Sequence, residues 1–369
     1  MPRALPLFCK DFTKVGLHSA SQGQGQAVEK AMPWNQGLAR GAAVGTAAVL
    51  AGLAARYAAG VTQADRSWPA QVEARLRDVG EVDEVSILPL VERLTPDGGD
   101  LAGEPGVSYL VRAGGTRVLF DSGLSGGRES SALARNAETL GVDLGTLDAV
   151  VISHLHPDHV GGIGAARRRT FSFSREPMEP RGVPAYVPAP MQHPRADVSL
   201  STGPRVIATG LVVLPPLPRM LFWPGYVTEQ ALAVNVRGFG LVLISGCGHP
   251  PIERMLGITE QVLDVPIRAV VGGLHLPVHP AGTPLVPQAV LGNPYPPWRP
   301  IGERDVAHVL DEIAARGPQL VALSSHDSTP WTYDAFGRRF GDRYRTLQAG
   351  EALTISATAG APVPPQAAG

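Results

Sequence analysis

Residues 153–162, with the sequence Ser-His-Leu-His-Pro-Asp-His-Val-Gly-Gly, place three imidazoles and a carboxylate within six positions. The apolar run before them predicts a buried strand, and their two glycines predict the close-packed start of a helix. Alternate side chains of an extended segment point the same way, so His154 and His156 should converge on one ion. Asp158 and His159 fall at the turn into the helix, where they can face a second ion. The motif therefore predicts a metal site, with zinc the commonest occupant and manganese or iron as alternatives.

The length and charge of the chain limit the classes of function. Its 369 residues are enough for one large domain or two ordinary ones. A formal net charge of −1 does not favour nucleic acid as a partner, and we expect a small-molecule substrate. The two cysteines, Cys9 and Cys247, lie far apart and do not form a disulfide framework, so they do not indicate a compartment. The oligomeric state is not indicated.

The first 81 residues are predicted to form an N-terminal extension. Residues 1–37 have the composition of a poorly ordered segment, and residues 68–79 suggest a short amphipathic helix. Between them, the apolar segment 41–61 resembles a signal-peptide core or a weak membrane anchor. An Ala-rich helix that packs on the domain surface fits it equally well. Membrane association through this segment is therefore open, and the location could be cytoplasmic, exported or membrane-anchored.

The catalytic domain is predicted to cover residues 82–356, and a frayed tail is expected over 357–369. Residues 171–226 are rich in proline and turn formers and are expected to be irregular, whereas 277–300 could cover a cleft. Apolar runs and helical periodicity predict the regular elements. The predicted strands are 85–90, 108–112, 117–120, 147–152, 231–236, 240–245, 267–271 and 320–324, and the predicted helices are 129–141, 303–316 and 333–340.

Further ligand candidates come from the loops that follow apolar strands. His249, His275 and His326 each lie in such a loop, where functional groups collect in layered α/β folds. Cys247 is either a thiolate ligand or a small apolar residue in a Gly-Cys-Gly turn. Asp121, at another strand end, could hydrogen-bond the free nitrogen of a ligating histidine and fix its tautomer. Together with the dense motif, these residues could complete a two-ion site.

Three features of the chain resemble the metallo-β-lactamase superfamily: the Leu-Phe-Asp-Ser-Gly run at 119–123, the motif at 153–162, and the spaced single ligands after it. The segments 244–249 and 272–276 resemble more closely its branch named for dihydropterinyl-methyl ribofuranosylaminobenzene phosphate synthase. The match covers roughly residues 82–356. It implies an α/β fold, a four-layer αβ/βα sandwich, with metals at one edge of two facing sheets. In the superfamily, residues matching His154 and His156 hold one ion, and those matching Asp158, His159 and His326 hold the other.

The chain departs from the family pattern at three places. Most members have a histidine where Thr-Glu-Gln stands at 228–230, and an aspartate that bridges the ions where Cys247 stands. We therefore infer that His249, with or without Cys247, completes the first site. After His326, Asp-Ser-Thr replaces the Cys-Thr-Gly of the branch. These departures leave the substrate open.

The leading hypothesis is a metal-dependent hydrolase that uses an activated water on an ester, lactone or phosphoester-type small molecule. Two zinc ions are the expected cofactors, with manganese or iron as alternatives. Asp158 would orient the nucleophile and accept a proton, and His275 could act as a proton shuttle or a donor to substrate. A non-haem iron oxidoreductase or a pterin-related synthase on the same fold is the alternative. A protein that binds metal without catalysis is a third reading, which the full ligand set disfavours.

Overall fold

In this computed structural model, the described residues are 34–68, 75–125, 127, 130–174, 181–278 and 290–357, with side chains described from residue 48 onward. The chain divides into two compact units, Met1–Gly52 and Leu53–Gly369. The predictions for residues 1–37 and 357–369 fall almost entirely outside the described residues.

The apolar segment 41–61 lies within one helix, α1 (Trp34–Ser67). Among the described residues, none of the helices has both the length and the apolar character needed to cross a membrane. The amphipathic helix predicted at 68–79 is wrong over residues 75–79, which are irregular, and residues 69–74 are outside the described part. Asp78 and Gly80 adopt positive φ angles of 56° and 76°, which a right-handed helix does not accommodate.

One seven-stranded sheet carries the dense histidine motif. Its strand order is β16-β1-β2-β3-β4-β5-β6. The pairs from β16 to β3 are antiparallel, and those from β3 to β6 are parallel. The strands are β1 (Glu84–Val91), β2 (Ser108–Ala113), β3 (Thr116–Phe120), β4 (Ala149–Val151), β5 (Pro184–Val187), β6 (Asp197–Leu200) and β16 (Leu353–Ser356).

A second seven-stranded sheet, ordered β15-β14-β13-β12-β11-β8-β7, carries the later ligand candidates. Its strands β12 to β15 run parallel, whereas β7, β8, β11 and β12 pair in antiparallel fashion. A separate hairpin joins β9 (Leu217–Met220) to β10 (Tyr226–Glu229). The sheet strands are β7 (Arg205–Ala208), β8 (Leu211–Val213), β11 (Leu232–Val236), β12 (Gly240–Ser245), β13 (Ile267–Gly272), β14 (Leu320–Leu323) and β15 (Tyr344–Thr346).

The two sheets face each other across one apolar core, and helices cover their outer faces. The inner core combines side chains of both sheets, such as Val111 and Phe120 from one and Val234 and Ile244 from the other. On the outer face of each sheet, one further apolar core lies between the sheet and its helices. The predicted four-layer α/β sandwich is therefore present. The helices are α2 (Ala132–Thr139) and α3 (Ile163–Arg167) on the first sheet, and α4 (Ile252–Val262), α5 (Glu303–Ala315) and α6 (Pro330–Phe340) on the second.

The prediction that residues 171–226 are irregular is wrong. This region contributes β5 and β6 to the first sheet, β7 and β8 to the second, and most of the β9–β10 hairpin. Each of these strands has only three or four residues, so the prolines and turn formers between them hide the strand pattern. Pro184 is compatible with β5 because it occupies the first position of the strand.

The carboxyl ends of five strands meet at one edge of the sandwich. Strands β3 and β4 lead directly into Asp121 and the histidine motif, and β12, β13 and β14 lead into Cys247, His275 and His326. The candidate site therefore collects side chains from both sheets at this edge.

Candidate metal centre

A first ligand set consists of His154, His156 and His249. The Nε2 atom of His154 lies 3.0 Å from Nδ1 of His156, and Nε2 of His249 lies 3.1 Å from the same Nδ1 atom. Nitrogen ligands around a tetrahedral ion are about 3.3 Å apart for metal–nitrogen bonds of about 2.05 Å. The three nitrogens are therefore close enough to share one ion.

The second ligand set comprises Asp158, His159, Cys247 and His326. The Cys247 Sγ atom lies 3.1 Å from His159 Nε2 and 3.2 Å from His326 Nε2. Asp158 Oδ2 lies 3.6 Å from His159 Nε2. The structure thus groups Cys247 with the second set and His249 with the first. All seven ligands predicted from the sequence fall into one set or the other.

The protonation of the first set suits a cation. Burial, reinforced by the neighbouring imidazoles, lowers the pKa of His154 and His249 well below the usual value, and lowers that of His156 to about 3. A neutral imidazole binds a metal ion through the lone pair of a ring nitrogen, so these rings can hold an ion without first losing a proton. The set is therefore fitted to hold a metal ion.

Carboxyl groups are concentrated in and behind the cluster. Within the described residues, Glu92, Asp121, Glu229 and Asp327 are each no more than 2% exposed. Burial raises the pKa of Glu92, Glu229 and Asp327. Buried carboxylates are stable when they are hydrogen-bonded or paired with cations. Divalent ions in the two sets would supply positive charge to this region.

A carboxylate and a serine orient two histidines of the dense motif. Asp121 accepts hydrogen bonds from the backbone N–H and the hydroxyl of Ser153, both at 2.6 Å, and its Oδ2 lies 2.7 Å from His159 Nδ1. Ser153 Oγ lies 2.9 Å from His154 Nδ1. These contacts direct the Nε2 atoms of both rings toward the ligand sets. Asp121 therefore stands where the sequence placed it, as a partner of a ligating histidine.

The same arrangement recurs behind His326 and was missed from the sequence. Glu92 Oε1 accepts hydrogen bonds from Tyr109 at 2.6 Å and from Ser324 at 2.7 Å. The Ser324 hydroxyl lies 2.6 Å from His326 Nδ1, and Glu92 Oε2 accepts from the N–H of Ser325 at 3.0 Å. The one sequence signal for the role of Glu92 was its position as a charged residue directly after the apolar strand β1.

Glu229 holds the loop that carries Cys247 and His249. Its Oε1 accepts from the N–H groups of Cys247 at 3.0 Å and Gly248 at 2.8 Å, and its Oε2 accepts from the His249 N–H at 2.8 Å. One carboxylate at the end of β10 thereby fixes one ligand of each set. In the region where the family pattern has a histidine, this chain therefore has a glutamate that holds the ligand loop.

We expect Glu229→Gln to weaken binding of both ions, because an amide cannot accept all three N–H groups. Support of this kind around metal ligands typically contributes about 10- to 100-fold in affinity. Competitive zinc titration with a chromophoric chelator measures the loss. The exposed Glu138→Gln serves as the matched control and should bind zinc like the wild type. An unchanged affinity in Glu229→Gln would show that the loop holds its shape without the carboxylate.

His275 lies beside the ligand sets and belongs to neither. Its ring centroid is 5.0 Å from that of His249, and its backbone N–H donates to Asp327 Oδ2 at 2.7 Å. His275, Asp327 and Cys247 each offer one ligand atom, and these three atoms lie within 4.8 Å of one another. His275 has a positive φ of 48°, an uncommon conformation for this residue type. His275 and Asp327 thus line the space that a substrate would enter.

Metal binding to the second set should release about two protons per ion at pH 7.5, and binding to the first set almost none. Burial lowers the pKa of His159, but the carboxylates of Asp158 and Asp121 outweigh it and raise the pKa to about 9. Burial and nearby carboxylates also raise the pKa of the Cys247 thiol. Both groups must lose a proton to bind metal, so the affinity of this set rises with pH, and it keeps rising above pH 9 because the Cys247 thiol loses its proton later than His159 does.

Calorimetric zinc titration in buffers of different ionisation enthalpy measures the number of protons released. In Cys247→Ala, which should no longer bind the second-set ion, the total should fall by about two, to almost none. A total below one proton in the wild type would contradict the assigned protonation states.

Comparisons with known proteins show which family and fold this chain is similar to. Residues 101–172 match the family model described as the metallo-beta-lactamase superfamily. The chain is 46% identical over 56 residues to "Ribonuclease TTHA0252" of Thermus thermophilus, a match covering 15% of this chain and 12% of that protein. It is 23% identical over 242 residues to "7,8-dihydropterin-6-methyl-4-(beta-D-ribofuranosyl)-aminobenzene-5'-phosphate synthase" of Methanocaldococcus jannaschii, covering 54% of this chain and 81% of the synthase.

Among solved structures, "Tm1679, a metal-dependent hydrolase of the beta-lactamase superfamily" has a TM-score of 0.50 and 22% identity. The match covers 74% of this chain and 99% of that one. At this identity, the likeness establishes the fold and leaves the activity to be argued from the site.

Proposed function

We propose that this chain, whose residues 101–172 match the metallo-β-lactamase superfamily model, is a metal-dependent hydrolase that acts on a small-molecule ester, lactone or phosphoester. The observation that carries the proposal is the pair of adjoining ligand sets on the floor of one cavity. That cavity has a volume of about 670 Å³. Its floor includes His156 and His249 from the first set and Asp158 and Cys247 from the second.

The two sets are suited to two divalent ions, one in each. His154, His156 and His249 would hold the first, and Asp158, His159, Cys247 and His326 would hold the second. Imidazole, carboxylate and thiolate ligands together suit zinc better than manganese, because manganese prefers oxygen ligands. When bound, such ions supply an activated water and neutralise the negative charge that develops on the substrate.

Asp158 and His275 face the reacting groups. The Asp158 side chain is 31% exposed and lines the cavity, so its carboxylate can orient a water and receive its proton. His275 lines the cavity beside His249, where its imidazole can donate a hydrogen bond to substrate or pass a proton to the leaving group. Asp121, Ser153 and Ser324 would hold the ligand histidines in place throughout the reaction.

Hydrolysis of a substrate panel tests the proposal. Zinc-loaded protein should hydrolyse at least one of p-nitrophenyl esters, aromatic lactones or bis(p-nitrophenyl) phosphate. Chelation should abolish the activity, and added zinc should restore it. Stoichiometric metal binding without turnover of any member of the panel would contradict hydrolysis. Bound iron together with substrate-dependent oxygen uptake would instead support the oxidoreductase alternative.

A further inference from the structure

The walls of the cavity above the ligand sets are apolar. Among the described residues, the lining above the floor includes Leu124, Leu155, Ile163, Trp223, Pro224 and Leu291. They come from four separate parts of the chain: the loop after β3, the loop after β4 with the start of α3, the β9–β10 hairpin, and the loop before α5. Small-molecule sites typically have this form, in which apolar walls surround a few polar groups.

Three large apolar side chains stand at the mouth of the cavity. Ile163 is 59% exposed, Trp223 is 55% exposed and Leu291 is 49% exposed. Single exposed apolar side chains are common on protein surfaces, but a group around an opening marks a binding surface. A ligand that covered these side chains would remove apolar surface from water, which favours binding.

Positive charge is sparse along the same walls. Within the described lining, Arg167 is the one lysine or arginine, and its side chain lies exposed on α3. The other charged lining residues are the carboxylates Asp158 and Asp327. A substrate with several phosphates needs arginine or lysine partners along its length, and these walls do not offer them.

The rim is held in place by hydrogen bonds between its two loops. The Gly292 N–H donates to the Trp223 carbonyl at 2.9 Å, and the Phe222 N–H donates to the Asn293 carbonyl at 3.0 Å. Tyr57 of α1 donates a hydrogen bond to the Pro294 carbonyl at 2.6 Å. Its ring packs on Phe222, with the two ring centroids 5.6 Å apart. The apolar rim is therefore built into the fold before any ligand binds.

Gly292 allows the rim to lie very close to the site, because it has no side chain. A Cβ atom on this residue would approach His275 Cε1 to 2.5 Å and His249 Cε1 to 3.1 Å. The backbone of the loop thus packs directly against two imidazoles of the site. This contact makes the apolar wall continuous with the polar floor.

We propose that this cavity binds an apolar acyl or aryl group attached to the scissile carbonyl of an oxyester or lactone. The inference rests on the proposed hydrolytic function and names the substrate class of the same site. The floor takes the polar reacting group, and the walls formed by Ile163, Trp223 and Leu291 take the apolar substituent.

A series of p-nitrophenyl acetate, butyrate, hexanoate and octanoate tests this assignment on the zinc-loaded full chain. The kcat/KM should rise about three- to fourfold per added methylene until the cavity is filled. Titration calorimetry with the matching carboxylates gives a readout independent of turnover, and their dissociation constants should fall in the same steps. Leu291→Ser should reduce kcat/KM for the octanoate at least about fivefold and kcat/KM for the acetate less than about twofold.

Leu200→Ser is the matched control, because Leu200 is 43% exposed and lies on β6, outside the described lining of the cavity. It should behave as the wild type. A flat chain-length series, equal effects of the two serine variants, or a preference for bis(p-nitrophenyl) phosphate would each overturn the assignment. If neither these esters nor any other member of the hydrolysis panel were turned over but the carboxylates still bound in chain-length order, hydrolysis would be refuted and the apolar site would stand.

Discussion

Replacing His156 by alanine is expected to remove one of two bound ions per chain and to lower kcat/KM at least about 10³-fold. His156 Nδ1 lies between the Nε2 atoms of His154 and His249, so its loss leaves only two ligands in the first set. Metal ions in hydrolytic sites stabilise the transition state by several kcal/mol, and about 4 kcal/mol corresponds to a thousandfold in rate. Cys247→Ala should remove the other ion, with a loss of similar size.

Mass-spectrometric metal analysis beside the rate assay separates the two variants. His308→Ala is the control, since the His308 side chain is 56% exposed, pairs with Glu253 and belongs to neither ligand set. It should keep both ions and full activity. If His156→Ala and Cys247→Ala each retained two ions, the assignment of ligands to sets would be wrong.

Replacing Asp121 by alanine is expected to lower the free energy of unfolding of the metal-free protein by about 3 kcal/mol or more. The variant leaves the Ser153 N–H, the Ser153 hydroxyl and His159 Nδ1 without their acceptor in a buried site. Each buried group left unsatisfied costs about 1–3 kcal/mol. Zinc affinity should fall about 10- to 100-fold as well, because His159 loses the partner that orients it.

Urea denaturation with and without zinc measures both effects. Asp148→Ala is a suitable control, because Asp148 is an exposed aspartate that accepts one hydrogen bond, from the Arg117 N–H at 2.8 Å. Asp148→Ala should change the free energy of unfolding by no more than about 1 kcal/mol. A comparable loss in both variants would mean that Asp121 acts only as a turn residue.

The parts of the molecule that could be predicted from sequence are those governed by local pattern. The dense motif at 153–162 combines a strand, a turn and a glycine-started helix in ten consecutive residues, and α3 does begin at Ile163 after Gly162. The strands that lead into Cys247, His275 and His326 were visible because they are continuous apolar runs. The strands between residues 184 and 229 were not, because each is too short to show a period.

The supporting residues depend on contacts between distant parts of the chain. Glu92 meets Ser324 across 232 positions, and Glu229 meets His249 only because β10 ends beside the loop after β12. The one local signal, a charged residue at a strand end, does not by itself distinguish such a glutamate from one on the surface. The grouping of Cys247 with the second ligand set depends in the same way on tertiary packing, since Cys247 lies only two positions before His249 of the first set.

Metal content of the wild-type protein, determined by mass spectrometry after purification without added metal, tests the central claim most directly. We predict two divalent ions per chain, principally zinc, one held by each ligand set. A single iron per chain, unchanged in Cys247→Ala, would contradict both the two-ion centre and the hydrolytic function built on it.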